Sequence, residues 1–283
     1  MLKVKWIFLF FNVMFLFAVT TAQFEPPLVK AEHNTYFSNL KLFSQIKQRN
    51  DFDYELISGT VSTNRFKIRE IHFHPNGAIN EIINLSKIGK KKSIIVFGYD
   101  RRFLPLSETE YLPTGEKVGR VKYKYNINGT LEEKSFYNQY GYIVSKIVYS
   151  TIADSNVIIE KEYHSPEKVS RYRYIYYTDL ENGKRFQEKE YDANHEEVVK
   201  KSISYNEFGK ISEVSYYRHN NLEYKLFYSY DKNKNLTQVL REDNEGARRE
   251  IEVYNYNDTR LLVGELKKNP LGRTIMYKKY TYF

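Results

Sequence analysis

The chain has 283 residues, 44 lysines and arginines against 35 aspartates and glutamates, a formal charge of +9, and no cysteine. The missing cysteine excludes disulfides, thiolate metal sites, a cysteine nucleophile and a lipid anchor on an N-terminal cysteine. Tyrosine, present 27 times beside 18 phenylalanines, supplies much of the apolar bulk that a chain without such staples must bury.

Residues 1–22 read as a secretory signal peptide. Lys3 and Lys5 form the basic start, Trp6–Val19 is apolar apart from Asn12, and Thr20-Thr21-Ala22 offers small residues for cleavage. The apolar run falls short of the roughly 20 residues that a membrane-spanning helix needs, and no later segment is apolar for long enough. The expected location is therefore secreted, periplasmic or cell-surface. Without cysteine, a bacterial exporter is the better match.

Residues 23–50 form a leader. Pro26-Pro27 makes its first part extended, and Phe37, Leu40, Phe43 and Ile46 recur at intervals of three, which predicts a short helix over 36–48. Such a helix would cap the first strands, since an unpaired sheet edge invites aggregation.

From 51 to 283 the chain repeats. Tyr125-Asn126-Ile127-Asn128-Gly129-Thr130-Leu131 is echoed at once by Tyr137-Asn138-Gln139-Tyr140-Gly141-Tyr142-Ile143. Stepping by about 26 residues from Tyr125 meets Tyr99 and Phe73 backwards. Forwards, past Thr151, it meets Tyr177, Tyr205, Tyr230, Tyr256 and Tyr282. A second series half a period away runs Leu85, Tyr111, Tyr137, Tyr163, Tyr191 and Tyr217. Turn residues, mostly Asn, Asp or Gly, separate the segments, and between them apolar and polar residues alternate. Val121, Tyr123 and Tyr125 oppose Lys122 and Lys124; Tyr172, Tyr174 and Tyr176 oppose Arg171 and Arg173; Tyr224, Leu226, Tyr228 and Tyr230 oppose Lys225 and Ser229. A period of two with aromatic enrichment means strands. The predicted fold is all-β: an antiparallel hairpin meander of about 26 residues per two-strand unit, forming an open or curled sheet. Four Asn-x-Ser/Thr triplets, at Asn84, Asn128, Asn235 and Asn257, fall where Asn is already expected as turn chemistry.

The repeated phrase resembles the YD repeat of RHS and teneurin-type proteins, in the form of a small secreted bacterial version. Tyr125–Leu131, Tyr137–Ile143 and Tyr205–Ile211 match it, and Tyr191-Asp192 and Tyr230-Asp231 match it in part, with His195 and Lys234 in place of Gly. The resemblance implies a hairpin array, which in large relatives winds into a shell around a toxin or forms an adhesive ectodomain, and many relatives are labelled carbohydrate-binding. This chain has too few strands to enclose such a cargo.

Catalytic signatures are absent: there is no Gly-x-Ser-x-Gly elbow, phosphate loop or dinucleotide fingerprint. His72 and His74 share a strand face, yet the sequence points to no third ligand, so neither a metal nor another cofactor is expected. Lysine and glutamate interleave throughout; polyanion binding would need the basic residues gathered on one face, and no nucleic-acid partner is expected. Lys279 on the face of Phe283, and Lys278 on the other, argue against a lipid-facing barrel. The expected function is that of an exported, non-catalytic interaction or scaffold protein that binds protein or glycan on a tyrosine face. The residues proposed to carry it are Tyr123, Tyr125, Tyr172, Tyr174, Tyr176, Tyr205, Tyr228 and Tyr230. An envelope hydrolase with two carboxylates, or a toxin-associated immunity or delivery protein, are the alternatives.

Overall fold

The structure, a computed structural model, describes residues 25, 28, 33–152, 155–164, 168–178, 180 and 183–283. The signal-peptide reading of 1–22 lies outside the described residues. Helix α1 (His33–Phe43) leads into β1 (Gln48–Ile57), β2 (Thr60–Phe73), β3 (Ile79–Leu85), β4 (Lys91–Tyr99), β5 (Pro105–Tyr111) and β6 (Lys117–Tyr125). The meander continues as β7 (Leu131–Asn138), β8 (Ile143–Thr151), β9 (Val157–Tyr163), β10 (Val169–Tyr177), β11 (Arg185–Asp192) and β12 (Glu197–Tyr205). It ends with β13 (Ile211–Arg218), β14 (Asn221–Tyr230), β15 (Leu236–Asp243), β16 (Arg248–Tyr256), β17 (Leu262–Lys268) and β18 (Thr274–Tyr282).

Every strand pairs antiparallel with its neighbours in sequence, and the ends meet. β1 pairs with β2, as in Arg49–Ile71, and also with β18, as in Arg49–Tyr282 and Asp53–Lys278. The 18 strands therefore close into a barrel, which corrects the expectation of an open or curled sheet. Strand twist curls a long sheet, and closure removes the edges that would otherwise stay unpaired. At about 4.8 Å between strands and a tilt near 40°, a circular barrel of this size has a radius of about 18 Å.

The tyrosine phrase explains itself in the turns. Asn126 N–H donates to the Thr130 carbonyl at 3.0 Å, and Gly129 N–H donates to the Asn126 carbonyl at 3.0 Å. This is a type I turn closed by a residue at positive φ, the three-residue hairpin connection. Gly129 sits at φ 80°; His195, Lys234, Arg260 and Phe103 hold the same position without glycine, at a cost of roughly 1–2 kcal/mol each. The Asn or Asp side chain compensates by accepting the turn's amides. Asp192 Oδ1 takes Asn194 and Glu196 N–H at 2.8 and 3.0 Å, and Asp231 Oδ1 takes Asn233 and Asn235 N–H at 2.8 and 2.9 Å.

Helix α1 caps no edge, because each strand of the described residues is paired on both sides. It buries Tyr36, Leu40 and Phe43, spaced four and three apart, while the predicted stripe residue Phe37 is exposed. Phe43 packs with Ile71, Phe73, Ile79, Ile82 and Leu261, and Tyr36 and Leu40 pack with Ala78 and Leu104 against Tyr99 and Tyr125. The helix is thus seated at the barrel mouth where the even-numbered strands end. It stops at Phe43, short of the predicted 48, because Gln48 is drawn into β1, where its N–H donates to the Phe283 carbonyl at 3.2 Å.

Candidate functional site on the barrel walls

Cross-strand pairs share a face, so the register sorts side chains into an inner and an outer wall. Ile158 pairs with Ile175, Glu160 with Arg173 and Glu162 with Arg171. Ile175 is wholly buried, with Tyr177, in a cluster that also takes Tyr149 and Leu28, which marks this face as inner. The first tyrosine series ends the even-numbered strands and also points inward. Five of its hydroxyls donate to the carbonyl that begins the preceding strand: Tyr99 to Ile79 (2.7 Å), Tyr125 to Pro105 (2.6 Å), Tyr205 to Arg185 (2.7 Å), Tyr230 to Ile211 (2.8 Å) and Tyr282 to Leu262 (2.7 Å). These phenols are latches between strands. Burial holds the Tyr230 hydroxyl above its ordinary pKa and pushes those of Tyr256 and Tyr282 up to about 12.

The rest of the inner wall is charged in pairs. Arg171 reaches Glu162 at 2.8 Å and Glu190 at 3.2 Å. Arg173 pairs with Glu160, and Lys201 reaches Glu188 at 3.2 Å and Glu190 at 3.8 Å. Burial alone would raise the Glu188 carboxyl; Lys201, Arg173 and Arg185 outweigh it and hold the group below the usual range. Tyrosines also donate to carboxylates: Tyr123 to Glu108, Tyr254 to Glu252 at 2.6 Å and Tyr280 to Glu265 at 2.7 Å. Burial lifts the Glu252 carboxyl above its ordinary pKa; Tyr254 opposes that, and the neighbouring Glu265 adds to it.

The outer wall of β9–β11 is aromatic. Tyr172 pairs with Lys161 and Tyr191, and Tyr174 with Ile159 and Lys189. Tyr172 stands 4.0 Å from the His195 ring, Tyr174 meets Tyr191 edge-on at 5.3 Å, and Tyr176 lies 6.1 Å from Phe186. The second tyrosine series continues this wall. Tyr163 pairs with Lys146 and Tyr217 with Lys200. Lysines lie over three of these rings: Lys122 over Tyr137, Lys146 over Tyr163 and Lys200 over Tyr217, at 5.0, 4.9 and 4.5 Å.

The eight tyrosines singled out in sequence therefore do not share a face. Tyr123, Tyr125, Tyr205, Tyr228 and Tyr230 line the inner wall, whereas Tyr172, Tyr174 and Tyr176 stand outside. Sequence reasoning left out Tyr163, Tyr191, Phe186 and His195, which extend the outer group; membership of the second tyrosine series was the signal for the first two. His72 also lies outside, with Nδ1 2.7 Å from Glu81 and Nε2 4.0 Å from Glu70. His74 turns away to Tyr99, 5.9 Å between rings.

No protein-family model matches the chain, and no curated protein does. Among solved structures it is similar to a porin-like protein from Bacteroides uniformis, at 7% identity and a TM-score of 0.42 over 85% of this chain and 98% of that one. A porin-like protein from Bacteroides vulgatus gives 9% identity and a TM-score of 0.33 over 84% and 98%. The Tc holotoxin pore from Photorhabdus luminescens gives 9% and 0.17 over 81% of this chain and 18% of that one. The YD-repeat resemblance rests on the motifs alone.

Proposed function

We propose that the chain is an exported, non-catalytic interaction protein of the cell envelope that holds a protein or glycan partner on the outer aromatic strip of β9–β11. The observation that carries this reading is the position of Tyr172, Tyr174 and Tyr176: three rings side by side on a rigid strand, outside the barrel and clear of the core clusters. Export rests on the pattern of residues 1–22. The outer wall meets water, because Lys122, Lys146, Lys161, Lys189 and Lys200 stand on it where a lipid-facing band would exclude charge. No helix among the described residues is long and apolar enough to cross a membrane.

The test is binding by the folded protein to a glycan array and to envelope proteins, with and without Tyr172→Ser/Tyr174→Ser/Tyr176→Ser. Central aromatic anchors contribute about 2 kcal/mol each, so partner affinity should fall at least tenfold. Equal binding of every partner by both proteins would overturn the reading. The second reading, an envelope hydrolase, has one observation in its favour. Glu252, lifted by burial, stands beside Glu265 on the inner wall, the arrangement of a proton donor next to a second carboxylate. Glycan hydrolysis abolished by Glu252→Gln would establish it.

A further inference from the structure

The outer wall of β6–β13 carries an excess of basic residues. On the inner wall of β9–β12, Glu160, Glu162, Glu188 and Glu190 are matched by Arg171, Arg173, Arg185 and Lys201 in ion pairs. On the outer wall of β6–β13 the balance fails. Lys124 pairs with Glu132, Lys189 with Glu197, and Glu213 is taken by Lys225 of β14. Arg120, Lys122, Lys146, Lys161 and Lys200 form no ion pair among the described residues. The opposite side mixes apolar pairs with scattered cations: Leu240 pairs with Ile251, Val253 with Leu266, Leu266 with Tyr277 and Ile83 with Ile94, while Lys268 stands beside Ile251, Lys279 beside Phe52 and Arg65 beside Tyr54. These five cations without an ion pair stand on the face that also bears Tyr137, Tyr163, Tyr172, Tyr174, Tyr191 and Tyr217.

We propose that this face docks the barrel side-on to an anionic lipid bilayer, at the level of the headgroups. Interleaved lysine and tyrosine is the composition found where a protein meets that layer, with the cation near lipid phosphate and the phenol half in water. The shape fits a plane. Strands β8–β12 span about 80° of the circumference, so the outermost fall back only about 4 Å from a surface touching β10. That is within the Debye length of about 8 Å at physiological salt, which lets Lys146, Lys161 and Lys200 act together. The wall is convex, whereas pockets for small ligands are concave. One lysine lies over each ring of Tyr137, Tyr163 and Tyr217, which takes up ring face that bases or sugars would stack on. A single arginine among five such cations also differs from the arginine-led recognition of nucleic acid.

The inference shares with the proposed function the reading of this wall as a contact surface, and it adds a lipid bilayer to the protein or glycan partner. The experiment is flotation with phosphatidylcholine vesicles, with and without phosphatidylglycerol, at about 0.1 M and 1 M salt, where screening shortens from about 10 to 3 Å. The protein should float only with phosphatidylglycerol and be released at high salt. At roughly fivefold per lysine, Lys146→Gln/Lys161→Gln/Lys200→Gln should weaken binding about a hundredfold, while Lys268→Gln/Lys279→Gln on the opposite side changes nothing. Equal flotation with phosphatidylcholine alone, or an unchanged triple variant of intact β-sheet spectrum, would overturn it. So would binding to soluble dextran sulfate without binding to vesicles, which would assign the face to an acidic polymer. If vesicles fail yet Tyr172→Ser/Tyr174→Ser/Tyr176→Ser still abolishes partner capture, the lipid inference falls and the aromatic strip stands. If neither moves, both fall.

Discussion

Replacing a single latch tyrosine by phenylalanine keeps the ring and removes one hydroxyl. In Tyr125→Phe the lost hydrogen bond is the 2.6 Å donation to the Pro105 carbonyl, in a part-buried setting. Such a bond contributes about 0.5–1.5 kcal/mol net, since water satisfies both groups in the unfolded chain. About 1 kcal/mol shifts the melting temperature of a protein of this length by about 2–4 °C. Tyr230→Phe, losing a 2.8 Å bond to Ile211, should do the same. Tyr125→Ala, which also empties the ring's place, should cost about 3–5 kcal/mol. Successive latches lie about 10 Å apart, two strands on, so their effects should add. Removing the hydroxyls of Tyr99, Tyr125, Tyr205, Tyr230 and Tyr282 together would then cost about 5 kcal/mol, a large fraction of ordinary stability. The assay is thermal and urea unfolding followed by circular dichroism, with the exposed Tyr142→Phe as control. If Tyr125→Phe and Tyr230→Phe melt with the parent protein, the hydroxyls are not holding the strands and the reasoning fails.

Three other perturbations follow from the walls. Glu188→Gln leaves Arg173, Lys201 and Arg185 short of a carboxylate, and breaking a buried pair costs about 3–5 kcal/mol; partial exposure of the cations brings the expected loss to about 2–3 kcal/mol, and Lys201→Gln added to it should restore part of that in urea titrations. Gly77→Ala would place a methyl 1.9 Å from the Leu40 carbonyl oxygen at φ +86°, so it should expel α1 and expose residues 33–46 to protease, whereas Gly89→Ala, with open space around it, should cost only about 1–2 kcal/mol of strain. Tyr256 and Tyr282 are neutral when folded, with pKa values raised from 10.0 to about 12. The stability they supply is fully present below pH 10 and is lost as pH rises from 10 to 12. The phenolate absorbance that Tyr256→Phe/Tyr282→Phe removes should therefore be absorbance that rises above pH 10 together with unfolding, and a difference between the two proteins that rises by pH 10 while both stay folded would contradict it.

Much of the local order is legible in the residues. Phe73, Tyr99, Tyr125, Tyr177, Tyr205, Tyr230, Tyr256 and Tyr282 each end a strand, because one phrase serves both strand end and turn. The alternations read from Tyr123–Tyr125, Tyr172–Tyr176 and Tyr224–Tyr230 match the two sides of β6, β10 and β14. Two things were not legible. Which side is inner cannot be told from polarity: β6 turns Tyr123 inward and Lys122 outward, while β10 turns Arg173 inward and Tyr174 outward, since ion pairing lets charge line the inside. Closure was hidden as well, because it depends on β1, which lacks the Tyr-Asx-x-x-Gly phrase. Its buried Arg49 and Asp51, joined at 2.8 Å, were its only mark, and the partner of that strand lies at the far end of the chain.

That ring of alternating strands also restricts how the protein can change in length. An antiparallel ring closes only with an even number of members, since the last must run opposite to the first. Gaining or losing one strand would leave β1 and β18 parallel and the seam broken, so insertions and deletions that preserve the wall should come as whole hairpins of about 26 residues. Each such step widens or narrows the ring by about 2 Å in radius, while every surviving tyrosine keeps its neighbour.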